Sequence, residues 1–280
     1  VSSATIQSTD ILADLAIAHD AGFDALEIGA LEVGLYLASS GTLGELQSAF
    51  ARAGVEPLSL AASRGCSSNG EQGRAGGWHR WEVLCERAAA LGCAHVVAHH
   101  AMSGGAPQAR STTWDCLDAL HRMARIATAY GVRVGVELRG ARGAPASTVA
   151  AAREIVESVD DQAVGLIIDA FDFYAGGSTW AMLDGLDPRR VLTVRLEDAE
   201  PRPLRELTDA HRRLPGDGVI PLRELVRRLE EIGYDGVYSI ELHRPAYSGW
   251  EPLRLARAAR ESIEALCAEL DEQDGRLDYA

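Results

Sequence analysis

Lysine is absent from this sequence: all 27 of its basic residues are arginine. A Schiff base needs an amine whose pKa can fall, and guanidinium cannot supply one. Lysine-imine chemistry, a class I aldolase included, is therefore excluded, and so is a P-loop, which needs its lysine. Positive charge is also in deficit, with 41 acids giving a net charge of -14. Such a chain repels a phosphate backbone, so no nucleic-acid partner is expected. No apolar run reaches membrane-spanning length and no basic-then-apolar leader opens the sequence, so no membrane partner is expected. The five cysteines, Cys66, Cys85, Cys93, Cys116 and Cys267, are odd in number and never at metal spacing. Cys85 and Cys93 read as small core residues in a reducing, cytoplasmic compartment. No Gly-x-Gly-x-x-Gly follows an early strand, which counts against a doubly wound dinucleotide fold, the main rival architecture.

What the chain has instead is a repeated unit: an amphipathic helix, a glycine, then a strand. Gly22, Gly54, Gly92, Gly131 and Gly233 each follow a helical pattern, where a left-handed C′ position favours glycine. Thr42 and Glu45 have capping-box spacing, and Leu222, Leu225, Val226 and Leu229 form one apolar stripe. Strands are expected near 24–28, 56–61, 95–100, 132–138, 164–169, 191–197 and 237–242, with an eighth around 1–6. Strand–helix alternation with short β-branched strands implies a parallel sheet under helices, and eight units imply a single-domain (β/α)8 barrel over residues 1–270. Residues 271–280 read as a polar, frayed tail. Two Gly/Ser-rich stretches, Ser63–Trp78 and His100–Trp114, read as loops on the catalytic face.

In such a barrel the chemistry sits where strands end. Here those ends carry Glu137, Asp169, Glu197, Asp198 and Glu241, and Arg195 among them. Period-two alternation puts Glu137 on the face of Gly135, Asp169 with Ile167, Arg195 with Thr193 and Glu241 with Ser239, and if those faces point inward the four groups converge on one pocket. Three carboxylates on neighbouring strands are costly without a positive group between them. Arg139, Arg142 and Arg244 follow the strand-end glutamates and suit a substrate oxyanion or phosphate; each would also serve as a surface ion pair.

The segments "VGLIIDAFDFYAGGS" and "RLPGDGVIPLRELVRRLEEIGYDGVYSIELHRPAY" resemble the xylose-isomerase-like sugar phosphate isomerase/epimerase superfamily, and within it the inosose isomerase branch. The resemblance implies a (β/α)8 barrel holding one divalent cation through Glu, Asp, His and Glu on consecutive strands. It puts the metal set on Glu137, Asp169 and Glu241, and the histidine ligand on Arg195. Two further departures are Asp172, where the branch has histidine, and Gly143, Ala144 and Pro145, where it has a His-Pro pair. Guanidinium has no lone pair to offer a metal. Either Mg²⁺ or Mn²⁺ binds the three carboxylates with water, or Arg195 itself supplies the positive charge and the site is metal-independent.

The expected activity is isomerisation or epimerisation of a small polyhydroxylated ketone, sugar-like or cyclitol-like. Glu137 and Glu241 would move the proton and Arg195 would act beside them. Arg139, Arg244, His100, Asp172, His243 and Trp114 are assigned to substrate binding. A dehydratase, lyase or cyclase on the same carboxylates, and a non-catalytic binding homologue, are the alternatives. The superfamily's DNA-repair endonucleases need more histidines and a basic face. A homo-oligomer is as compatible with the resemblance as a monomer.

Overall fold

A computed structural model describes residues 1–8, 10–61, 71–98, 113–140, 144–159 and 161–274. Seven parallel strands form one sheet in the order β1 (Ala25–Gly29), β2 (Glu56–Ala61), β3 (His95–Val97), β4 (Arg133–Glu137), β5 (Val164–Asp169), β6 (Val191–Arg195) and β9 (Val237–Ser239). A two-residue antiparallel ribbon, β7 (Asp198–Ala199) with β8 (Arg212–Arg213), lies between β6 and β9 in sequence. All five glycines expected after helices have φ between 65° and 90°, the region where a Cβ is penalised. The capping box forms, with Thr42 N donating to Glu45 Oε2 (2.9 Å) and Glu45 N to Thr42 Oγ1 (3.2 Å). The helix Leu222–Glu231 buries Leu222, Leu225, Val226 and Leu229, the stripe its spacing predicts. Cys85 and Cys93 are buried free thiols.

The expected eighth strand is corrected. Only Val1 and Ser2 are extended; Ser3–Ile6 is a single helical turn. Those two residues still close the ring: Glu27 N donates to Val1 O at 2.8 Å, and Ser2 N to Ile240 O at 2.9 Å. The turn has a local cause. Ser2 Oγ accepts from Ala4 N at 3.2 Å, an N-cap that competes with continued pairing. Thr5 then replaces the missing ladder with its side chain, its hydroxyl donating to Ile240 O (3.1 Å) and accepting from Leu242 N (2.8 Å). The predicted Ser63–Trp78 loop is also shorter, because a helix runs from Glu71 to Leu91; residues 62–70 lie outside those described. At the other end the helix Pro252–Asp274 extends into the segment read as a tail.

Inside the barrel, one layer is formed by His95, Gly135, Ile167 and Thr193. A Cβ at Gly135 would lie 2.6 Å from Ile167 Cδ1, so the isoleucine fills the space that glycine leaves. His95 Nε2 is 3.4 Å from Thr193 Oγ1, and burial lowers the imidazole pKa to about 4, keeping the ring neutral. This packed layer is a floor for the groups at the strand ends.

Candidate functional site

Arg195 leaves the end of β6 fully buried. Its guanidinium grips Glu27 of β1 in two places, Nε to Oε1 at 3.1 Å and Nη2 to Oε2 at 2.7 Å. Ser59 Oγ of β2 donates to Glu27 Oε2 at 3.2 Å, fixing the acceptor in turn. The remaining nitrogen, Nη1, donates to both Glu137 Oε1 and Glu241 Oε2. One planar fork thus joins acids from three separate strands, a geometry ammonium could not reproduce. Burial alone would depress the guanidinium pKa, but Glu241, Glu27 and Glu137 hold it well above its ordinary value. Burial likewise opposes ionisation of Glu27, yet the Arg195 charge keeps its pKa below the usual carboxylate value.

A second buried guanidinium stands beside the first. Arg212, on the β8 ribbon, donates to Asp169 Oδ2 (2.7 Å), Asp172 Oδ2 (3.0 Å) and Asp209 Oδ1 (3.0 Å), and lies over the Phe171 ring at 4.6 Å. The ribbon is held by Asp198, whose carboxylate accepts from the backbone of Ala199, Gly216, Gly218 and Ile220. Buried acids around the two arginines still outnumber them. Glu197 accepts the Glu241 amide at 2.7 Å and lies 3.4 Å from Arg212 Nη1; burial with the nearby Asp169 charge raises its pKa well above normal. Burial outweighs Arg212 at Asp169 and raises that pKa too. Burial and the Asp169 charge push Asp172 to about 7.

The inward set anticipated from alternation therefore meets. Oxygens of Glu137, Asp169 and Glu241 lie within 4.8 Å of one another, a spacing that could hold a metal ion. The donor chemistry is another matter. Arg195 Nη1 occupies the inner oxygens of both glutamates, Arg212 takes Asp169 Oδ2, and Asp172 N donates to Asp169 Oδ1 at 2.8 Å. A dication on those oxygens would stand ~4 Å from a guanidinium and be repelled by several kcal/mol at an effective dielectric of about 20. The residues as arranged fit a metal by spacing and do not fit one by charge.

The assigned binding residues divide. Arg139 Nη1 lies 3.5 Å from Glu137 Oε2, and His243 Nε2 lies 3.6 Å from Glu241 Oε1, so both border the cluster. Asp172 belongs to it through Arg212 and accepts the Gly140 amide at 2.7 Å. Arg139, Gly140, Asp172, Gly176, Thr208 and Asp209 line a cavity of about 550 Å³ beside the carboxylates. Arg244 turns instead to the ribbon, pairing with Glu200 at 2.8 Å and donating to Arg212 O at 3.1 Å. His100, Arg142 and the side chain of Trp114 lie outside the described residues. Glu27 and Arg212 were not singled out in the sequence. Glu27 carried a signal, an acid between Leu26 and Ile28 in an apolar strand; Arg212 carried only its place before the Pro-Gly turn.

Comparison with known proteins agrees with this geometry. Residues 15–268 match the family described as Xylose isomerase-like TIM barrel. An inosose isomerase of Halalkalibacterium halodurans is 31% identical over 243 residues, 87% of this chain and 86% of that protein. The inosose isomerase of Bacillus subtilis is 29% identical, covering 87% of each. Among solved structures, the IOLI protein with a binding zinc atom superposes with a TM-score of 0.86 at 27% identity, over 96% of this chain and 97% of that one. D-psicose 3-epimerase from Clostridium cellulolyticum H10, at 18% identity and a TM-score of 0.77 over 96% and 98%, shares the fold. The acids at the strand ends, the closed parallel barrel and these likenesses agree, and the chain belongs to the xylose isomerase-like TIM barrel family.

Proposed function

We propose that this protein is an isomerase or epimerase of a small polyhydroxylated ketone, of sugar or cyclitol type, working by carboxylate-mediated proton transfer through an enediolate. The relatives named inosose isomerase place it among isomerase and epimerase enzymes. The observation that carries the mechanism is the pairing of Glu137 and Glu241. They are buried at the ends of different strands, and each is tied to Arg195 through one oxygen. Their other oxygens look elsewhere: Glu137 Oε2 toward Arg139, Glu241 Oε1 toward Ser2 Oγ at 3.1 Å and His243. Those outer oxygens are assigned the substrate proton.

The chemistry follows from the carbon acid. A C–H beside a carbonyl loses its proton to one glutamate, and the electron pair moves into a C=C bond while the carbonyl oxygen becomes an enediolate oxygen. The second glutamate returns a proton. Delivery to the opposite face of the same carbon inverts it. Delivery to the former carbonyl carbon, with the neighbouring hydroxyl proton passing to that carbon's oxygen, moves the carbonyl along the chain. Arg139 and His243 border the outer oxygens and would orient substrate hydroxyls, and Asp172 faces the adjoining cavity with a pKa near neutrality. In this site a bound cation would supply charge stabilisation for the enediolate; Glu137, Asp169 and Glu241 are the residues that would have to hold it.

Incubation of the protein with inososes and ketoses in D₂O, followed by NMR, tests the reading. Deuterium should enter at the carbon beside the carbonyl without a change of molecular formula other than the label. Loss of water would instead favour the lyase alternative, and no exchange with any polyhydroxy ketone would remove the proposal.

A further inference from the structure

The cluster contains a positive group where the chain's relatives and its own carboxylate spacing would lead one to look for an ion. We propose that Arg195 takes the place of a divalent cation, so that this barrel neutralises and orders its acidic site with a covalently held charge and binds no metal. The inference deepens the proposed function and rests on that reading for its catalytic meaning.

Three relationships carry it. First, position: Nη1 of Arg195 donates to Glu137 Oε1 and Glu241 Oε2, two of the three groups spaced to share an ion. A dication on those oxygens would share them with a guanidinium within hydrogen-bond reach, and the two positive groups repel. Second, permanence: Glu27 holds the other edge of the guanidinium by two hydrogen bonds, with Ser59 behind it, and the side chain is fully buried. Swinging it aside would leave Glu27 and Arg195 both buried and unpaired, an outcome buried ion pairs resist. Third, the third ligand is also engaged. Asp169 accepts from Arg212 and from the Asp172 amide, so no member of the triad is waiting for a cation. Glu27 has no metal-binding part in this arrangement; its role is to aim the fork.

The replacement has a chemical consequence. A metal can leave, exchange or be chelated, whereas a guanidinium cannot, and it stays charged at any pH the fold survives. The site should then be indifferent to chelators.

Elemental analysis of protein purified without chelator, with calorimetric titration of the wild type by Mn²⁺ and by Zn²⁺, gives the first readout. The expected result is no stoichiometric metal and no saturable binding. Arg195→His, which puts an imidazole at this position and removes the guanidinium from both glutamates, should take up about one equivalent and bind Mn²⁺ or Zn²⁺ at least ~100-fold more tightly than wild type. Circular dichroism of the variant checks its fold, and if it does not fold the wild-type titration still decides. A wild-type protein that retains one equivalent of dication, lost on Glu137→Gln, overturns the inference. So does a folded Arg195→His protein that binds none. Metal content is read on the resting protein without substrate, so a failure of the proposed activity would leave this answer intact and distinguishable.

Discussion

Glu27 and Arg195 face each other as a two-pronged buried pair, 3.1 Å from Nε to Oε1 and 2.7 Å from Nη2 to Oε2, with neither side chain exposed to solvent. The pair links β1 to β6 and leaves Nη1 free to bridge Glu137 and Glu241. Glu27→Gln removes the ionic acceptor on one edge of the guanidinium, while Glu137 and Glu241 still balance its charge. The variant should therefore be destabilised by about 1.5–3 kcal/mol, the worth of a buried hydrogen bond to a charged group, read from urea unfolding. Turnover should fall in the same variant even where it is fully folded, because the fork loses its aim; an unchanged kcat would show that Arg195 is positioned by other contacts.

Glu137→Gln and Glu241→Gln keep the shape of the side chain and one hydrogen-bond acceptor while removing the base. Each should lower kcat by roughly 10²–10⁴-fold with little loss of helical signal. The two variants should also differ in which half of the reaction they block. Solvent-deuterium exchange without product is expected where the returning group is lost, and no exchange where the abstracting group is lost. Full turnover in both would falsify the carboxylate mechanism.

Asp198 touches none of the catalytic carboxylates, yet it accepts from four backbone amides, those of Ala199, Gly216, Gly218 and Ile220. Those amides hold the ribbon that sends Arg212 into the barrel. Asp198→Ala should cost about 2–4 kcal/mol by leaving the buried amides of Ala199 and Ile220 unsatisfied. It should also depress kcat more than Asp198→Asn, which retains one acceptor oxygen.

Asp14 lies on the helix Ile11–Asp20 and is fully buried; the nearby Ser8 hydroxyl only partly offsets the cost of ionising it. Burial and the charge of Glu32 raise its pKa from 3.8 to about 7. The folded chain then holds a proton that the unfolded chain releases near pH 4. Stability falls as pH rises between these two values and levels off above the folded pKa. Asp14→Asn removes that penalty. Thermal melts should show no advantage for the variant near pH 4 and a Tm several degrees above wild type at pH 8; equal melts at pH 8 would mean the carboxyl is solvated in the native state.

The elements legible in the sequence were those governed by local chemistry. Glycine after a helix marks a left-handed turn, an apolar period of two marks a strand face, and a carboxylate at the end of such a strand marks the mouth of a barrel. Gly22 and Gly233, the Leu222–Leu229 stripe and the convergence of Glu137, Asp169 and Glu241 all follow from rules acting over a few residues. The first strand did not, because Ser2 offered the backbone a cap that outcompeted pairing, and Thr5 completed the ring with a side chain. Nor did the partners of the arginines. Arg195 meets Glu27 across 168 residues and Arg212 meets Asp169 across 43. A long flexible side chain reaches whichever acid the barrel's stagger brings near, and that stagger is a property of the closed sheet as a whole. The sequence by itself determined that acids would crowd the strand ends. Only the tertiary structure decided that Glu27 would aim Arg195 and that Arg212 would stand beside it, since that depends on distances no local pattern encodes.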